Sequence, residues 1–195
     1  MNRDITIALL TGVIAGFVAG FLLANNRTTQ PVAQVQSPLP PGPAAPSAAG
    51  SVDAYQRIQG VLASLALDPK NAKAWISLGN DYFDTHQPQK AVEAYDKALE
   101  LEPKGAHVAD VLTDQGIMYR ELKAFDKAMA NFKKANKANP GHVQSVFNLG
   151  IVCYQDLKDL PTARQAFTRV IEMAPASTQA EQATSLLAAM AGGKS

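Results

Sequence analysis

A single cysteine, Cys153, and three histidines are all that this chain of 195 residues offers to thiol and imidazole chemistry. One cysteine cannot close an intramolecular disulfide, so no cross-linked framework holds the fold. His86, His107 and His142 are far apart in sequence, without the i, i+3 or i, i+4 pair that would put two ligands on one helix face. An excess of one charge is also missing. The net charge is +1, and from residue 53 onward acidic and basic residues balance. A neutral domain lacks the basic footprint that nucleic acid requires, and Lys133, Lys134 and Lys137 read as a solvated helix face. No glycine loop is placed to cradle a phosphate: Gly12 to Gly20 lie in an apolar run and Gly192-Gly193 near the C-terminus. Asp110 and Asp114, with Glu121 and Asp126 beyond, read as acids well placed near the start of a helix rather than as a ligand set, which needs more oxygens. These absences predict a chain that is not an enzyme and carries no metal and no cofactor.

The N-terminal quarter is rich in what the rest lacks. Ile5 to Ala24 is a run without charge, bracketed by Asp4 and Arg27. At about 1.5 Å per residue it spans roughly 30 Å, a bilayer core. Secretory signal peptides have shorter apolar cores, about 7–15 residues, and end in small residues; Leu22-Leu23-Ala24 does not, so residues 1–24 are expected to be an uncleaved transmembrane anchor. The short tail before it favours an N-terminus on the cytoplasmic side and the remainder on the far side, the periplasm in a bacterium. Gly12, Gly16 and Gly20, flanked in register by Ala8 and Ala24, would let two such helices pack closely, which predicts a homodimer through the anchor. Residues 25–51 hold Pro31, Pro38, Pro40, Pro41, Pro43 and Pro46 among Ala, Ser and Gln. They lack apolar periodicity and read as a flexible linker.

From residue 52 to 190 one set of residues recurs. The first copy is Trp75, Leu78, Gly79, Tyr82, Ala91, Tyr95, Ala98, Pro103; the second is Leu112, Gly116, Tyr119, Ala128, Phe132, Ala135, Pro140. The third is Val146, Leu149, Gly150, Cys153, Ala163, Phe167, Val170, Pro175, with one extra residue between Cys153 and Ala163. Three extra residues follow Pro103. Glycine inside a helix costs about 1 kcal/mol against alanine, an expense offset where two helices must approach, with Ala91, Ala128 and Ala163 expected as the small residues opposite. The prolines cannot continue a helix and should end each second helix. Cys153, standing where the other copies have Tyr82 and Tyr119, reads as a packed interior thiol.

This pattern resembles the tetratricopeptide repeat (TPR) family, whose unit is a helix–turn–helix of about 34 residues. The resemblance implies an all-α, right-handed solenoid with repeats at about 72–105, 109–142 and 143–177, a half-repeat helix at 53–67, a capping helix at 178–190 and a disordered tail at 191–195. End caps are needed because an open stack exposes its terminal core. Family members bind protein segments in a concave groove lined by the first helix of each repeat. Some grip a terminal carboxylate with Lys, Asn and Arg. Here the residues after the repeat glycines are Asn80, Ile117 and Ile151, and those three before them are Ile76, Thr113 and Phe147, so only Asn80 fits that clamp. The expected groove is apolar, made by Ile76, Thr113, Ile117, Phe147 and Ile151, extended by Phe83, Arg120 and Tyr154, and rimmed by Asp110, Lys73 and Gln144. Such a surface suits an apolar or amphipathic segment. The sequence therefore predicts a membrane-tethered adaptor that scaffolds a protein complex. An assembly or maturation factor for exported or envelope proteins is the alternative.

Overall fold

The computed structural model describes residues 48–192, with side chains described from residue 53. The expected anchor, with Gly12, Gly16 and Gly20, and all but the last few linker residues lie outside the described residues. Among the described residues there is no strand, and no helix is long and apolar enough to cross a membrane.

Eight α-helices follow one another among the described residues: α1 (Ala48–Leu67), α2 (Ala72–Asp84), α3 (Pro88–Leu101), α4 (Val108–Glu121), α5 (Phe125–Ala138), α6 (Val143–Ile151), α7 (Leu160–Met173) and α8 (Thr178–Gly192). They form three antiparallel hairpins, α2–α3, α4–α5 and α6–α7, between the lone helices α1 and α8. Helices α1, α3, α5 and α7 each end two residues before a proline (Pro69, Pro103, Pro140 and Pro175), because the residue preceding proline is pushed out of the helical region. Pro88 and Pro161 sit in the first turn of α3 and α7, where proline's missing N–H costs no hydrogen bond.

Each repeat glycine is there for a ring, not for the opposite alanine. A Cβ on Gly79 would lie 2.4 Å from the Tyr95 ring, one on Gly116 2.5 Å from Phe132, and one on Gly150 2.6 Å from Phe167. The aromatic ring of the second helix thus lies flush on the glycine backbone of the first. Ala91, Ala128 and Ala163 are themselves fully buried nearby. Burying one such ring contributes about 2–3 kcal/mol, which exceeds the helix penalty of the glycine beneath it.

The turns inside the first two hairpins are copies. His86 and Lys123 take positive φ, and the next N–H (Gln87, Ala124) reaches back to the carbonyl of Tyr82 or Tyr119. This left-handed cap satisfies orphan carbonyls at the helix end. In the third hairpin Lys158 takes the same φ, and Asp159 N–H reaches the carbonyl of Cys153, one residue further back. The extra residue is therefore inside the helix: Val152–Asp156 forms a π-helical turn, with Leu157 N–H donating to Val152 O. A single inserted residue is commonly absorbed this way.

The stack is closed at both ends. Ile58 and Leu65 of α1 are buried against Leu78, Trp75 and Ala94. Ala183 and Met190 of α8, with Leu186 and Leu187, cover Val146, Phe147 and Phe167. Helix α1 starts at Ala48, ahead of the expected Asp53. One ion pair was not foreseen. Arg57 Nε donates to Asp81 Oδ1 at 2.7 Å, tying α1 to α2 through a carboxylate that is nearly enclosed.

Candidate functional site

The curvature follows from which helices touch. The first helices of successive repeats, α2, α4 and α6, pack against one another and on to α8, while the second helices α3, α5 and α7 do not pack mutually to that extent. The first helices therefore form the inner, concave layer. On each of them a stripe spaced +4, +3, +4 stays out of the core: Lys73, Ser77, Asn80, Asp84 on α2; Asp110, Asp114, Ile117, Glu121 on α4; and, from α6 into its π turn, Gln144, Asn148, Ile151, Gln155. That spacing is one helix face, and the three stripes lie side by side in matching register.

The expected groove residues divide. Asn80 and Asp110 are exposed on this face, and Ile117 and Ile151 are half-buried on it. Thr113 does not line the groove: it is 1 % exposed and its hydroxyl donates to the Ala109 carbonyl at 2.8 Å. Phe147 is also covered, packed against the Phe167 ring at 5.9 Å and roofed by α8. Ile76, in the same register, lines a small apolar recess with Ala98, Leu99, Val108 and Val111. All three positions face the next first helix rather than solvent, so packing between repeats takes them. Phe83 is half-buried against the core of the first two repeats, and Tyr154 lies edge-on to Phe167 at 6.4 Å. Arg120 bridges first helices. Its Nε donates to Asp156 at 2.5 Å and its NH2 to Gln155 at 2.7 Å, so its charge is neutralised within the fold.

What remains is more acidic than the sequence reading allowed. Asp84, Asp110, Asp114 and Glu121 stand on the inner stripes against Lys73. Asp110 accepts from His142 Nε2 at 3.0 Å, and His142 is itself fixed because its Nδ1 accepts the Ser145 N–H and so caps α6. Among the described residues no hydrogen bond or ion pair reaches the carboxylates of Asp84 or Asp114. Burial first, then the neighbouring charges of Asp110 and Asp84, push the Asp114 carboxyl up to about 6, with His142 opposing. The Tyr95 phenol behind it donates to Asn80 Oδ1 at 2.9 Å and is raised by burial, then by Asp114 and Asp84. Sequence reasoning took Asp114 as a helix-start acid and passed over Ser77 and Asn148. The signal was present: all three stand two residues before a repeat glycine.

The outer layer holds a different kind of polar group. Asn131 donates to Gln115 at 2.6 Å, and Gln115 donates to Asp96 at 2.7 Å and to the Val92 carbonyl. This ladder joins α3, α4 and α5, is satisfied internally and fixes their spacing. Cys153 is fully buried, its thiol 3.7 Å from the Met129 sulfur and its ionisation pushed up by burial, as for a structural thiol. Among the described residues no cluster of three potential metal ligands occurs.

Comparison with known proteins agrees with this architecture. Two family models described as Tetratricopeptide repeat match residues 72–104 and 113–178, together just over half of the chain. The human protein O-mannosyl-transferase TMTC3 is 34% identical over 115 residues, and Protein bimA of Emericella nidulans 26% over 111 residues. Each match covers 57% of this chain, but only 12% and 13% of those proteins, so the chain spans about an eighth of their length. Among solved structures, MamA superposes with a TM-score of 0.64 at 23% identity, covering 72% of this chain and 80% of that one. The first TPR of Spaghetti (RPAP3), bound to the HSP90 peptide SRMEEVD, gives a TM-score of 0.53 at 23% identity, covering 62% of this chain and 96% of that one.

Proposed function

The chain belongs to the tetratricopeptide repeat family, and from that premise we propose that it is a non-catalytic adaptor whose concave face holds a segment of another protein. One observation carries this reading. Three parallel stripes of exposed and partly exposed side chains line the inner layer, and the carboxylate at their centre, Asp114, loses solvation there without a hydrogen-bond or ion-pair partner among the described residues. Folding alone gains nothing from such a group, and perturbed groups of this kind gather where proteins bind. The Spaghetti TPR is bound to a peptide, which is consistent with a segment of another protein as the ligand of this fold.

The adaptor is tethered to a membrane by Ile5 to Ala24, with the linker setting its reach and the repeats on the non-cytoplasmic side. Gly12, Gly16 and Gly20 pair two anchors, and the pairing raises avidity for a multivalent partner. Alkaline extraction tests the tether: the full chain stays with membranes, and a variant starting at residue 25 is released. Self-association in a membrane reporter assay should fall with Gly16→Leu.

The groove is tested by capturing partners on the full chain in detergent, in parallel with Ser77→Trp. Ser77 is exposed in the middle of the α2 stripe, so the indole fills the groove without entering the core. Proteins recovered on the first and lost on the second are groove partners; an identical set on both refutes the assignment. One partner at fixed stoichiometry fits a scaffold. A spread of exported or unfolded proteins fits the assembly role.

A further inference from the structure

We propose that the segment held in this groove is cationic, a stretch of chain that sets Lys or Arg side chains between the facing carboxylates of α2 and α4 while its apolar neighbours rest on Ile117 and Ile151. The inference rests on the groove reading and gives its occupant a chemistry. It departs from the apolar or amphipathic segment that the sequence suggests.

Charge complementarity carries the argument. In the matching register of the inner stripes Asp84, at the end of α2, stands beside Glu121 on α4, with Asp114 two turns before Glu121 and Asp110 beside Lys73 at the other end. The positive groups nearest to them are already engaged: Arg120 is held by Asp156 and Gln155, and His142 points its Nε2–H at Asp110. Lys73 lies at the opposite end of the α2 stripe from Asp84, about three turns away. The Asp84 and Asp114 carboxylates therefore share the inner face with no cation paired to either among the described residues. Guanidinium or ammonium groups placed there relieve the repulsion between them and make charge-assisted hydrogen bonds to them. Neutral polar groups complete the cradle: the Asn80 side chain, oriented by the Tyr95 hydroxyl, and Ser77 lie on the α2 side. Ile117 and Ile151 follow at the next position of the neighbouring stripes, half-buried, and offer apolar surface to a long aliphatic stem. An acidic segment meets like charge at Asp84, Asp114 and Glu121.

Selection from a random dodecapeptide display library on the immobilised full chain in detergent tests this directly. Peptides are scored by whether Ser77→Trp abolishes their capture. The groove-dependent peptides are expected to be enriched in Lys and Arg, and a synthetic copy of one should bind about tenfold or more weakly to the Asp84→Asn/Asp114→Asn variant. Its affinity should also fall as salt is raised. Both substitutions are isosteric and remove charge from partly exposed sites, and cooperative thermal unfolding at a temperature no lower than that of the parent chain confirms the fold of the variant. Groove-dependent peptides that are neutral or acidic, or undiminished binding to the variant, overturn the cationic inference and leave the groove reading standing. Recovery of no peptide sensitive to Ser77→Trp overturns both.

Discussion

The seam between the two helices of each hairpin and the inner stripe beside it lie on the same first helices, yet they differ completely in how they repeat. At the seam the pairs Gly79–Tyr95, Gly116–Phe132 and Gly150–Phe167 make one contact three times, to within a few tenths of an ångström. On the stripe little repeats: Ser77, Asp114 and Asn148 share a register, as do Asn80, Ile117 and Ile151, of which only the two isoleucines match. The seam is constrained by close packing, which tolerates little change in volume. The stripe is free of that constraint, so its chemistry can answer to a partner. The copied positions specify the stack, and the uncopied ones its ligand.

The largest expected break is at the seam. Phe132→Ala should lose about 3–5 kcal/mol of unfolding free energy in urea, through lost burial and the cavity left between α4 and α5. Gly116→Ala should lose about 1–3 kcal/mol by overpacking against that ring, although alanine is the better helix former. In the Phe132→Ala background the sign should reverse, with Gly116→Ala gaining up to about 1 kcal/mol because the ring is gone and only helix propensity remains. A loss of equal size in both backgrounds would mean that the ring is not what the glycine accommodates.

Smaller effects belong to the inner layer. Arg120→Ala should cost about 1 kcal/mol, since it removes a partly exposed ion pair between α4 and the π turn. Asp114→Asn should do the opposite. With its folded pKa raised from 3.8 to about 6, the charged carboxylate opposes folding above that pH, and the penalty disappears as pH falls from about 6 toward 4. Asp114→Asn should therefore stabilise the free protein by about 1 kcal/mol at pH 7.5 and give no advantage near pH 4. Thermal melts at the two pH values check this. A residue whose removal stabilises the fold while weakening capture is placed for binding, at a modest expense in stability.

The stack of helical hairpins was legible in the sequence because glycine, aromatic and proline each answer a local geometric demand. The inner face was legible only in part. Its register could be counted from the glycines, but whether a residue there reaches solvent depends on the next hairpin. That is why Thr113, Phe147 and Ile76, all three residues before a glycine, are taken by packing between first helices. The extra residue after Cys153 was visible as a spacing, but its absorption into the helix depended on the Lys158 turn keeping the backbone shape of His86 and Lys123. Asp114 was seen as an acid near a helix start. Its significance comes first from burial, which depends on the stacking of neighbouring helices, with the charge of Asp110 and then that of Asp84, thirty positions earlier in the chain, adding to it.

Hydrogen–deuterium exchange on the full chain, alone and with a groove-dependent partner bound, tests the central claim most directly. Binding on the concave face predicts slowed exchange concentrated in α2, α4 and α6, centred on the turns that carry Ser77, Asp114 and Asn148, with α3, α5 and α7 unchanged. Protection confined to α3, α5 and α7 would place the partner on the outer layer and contradict the account.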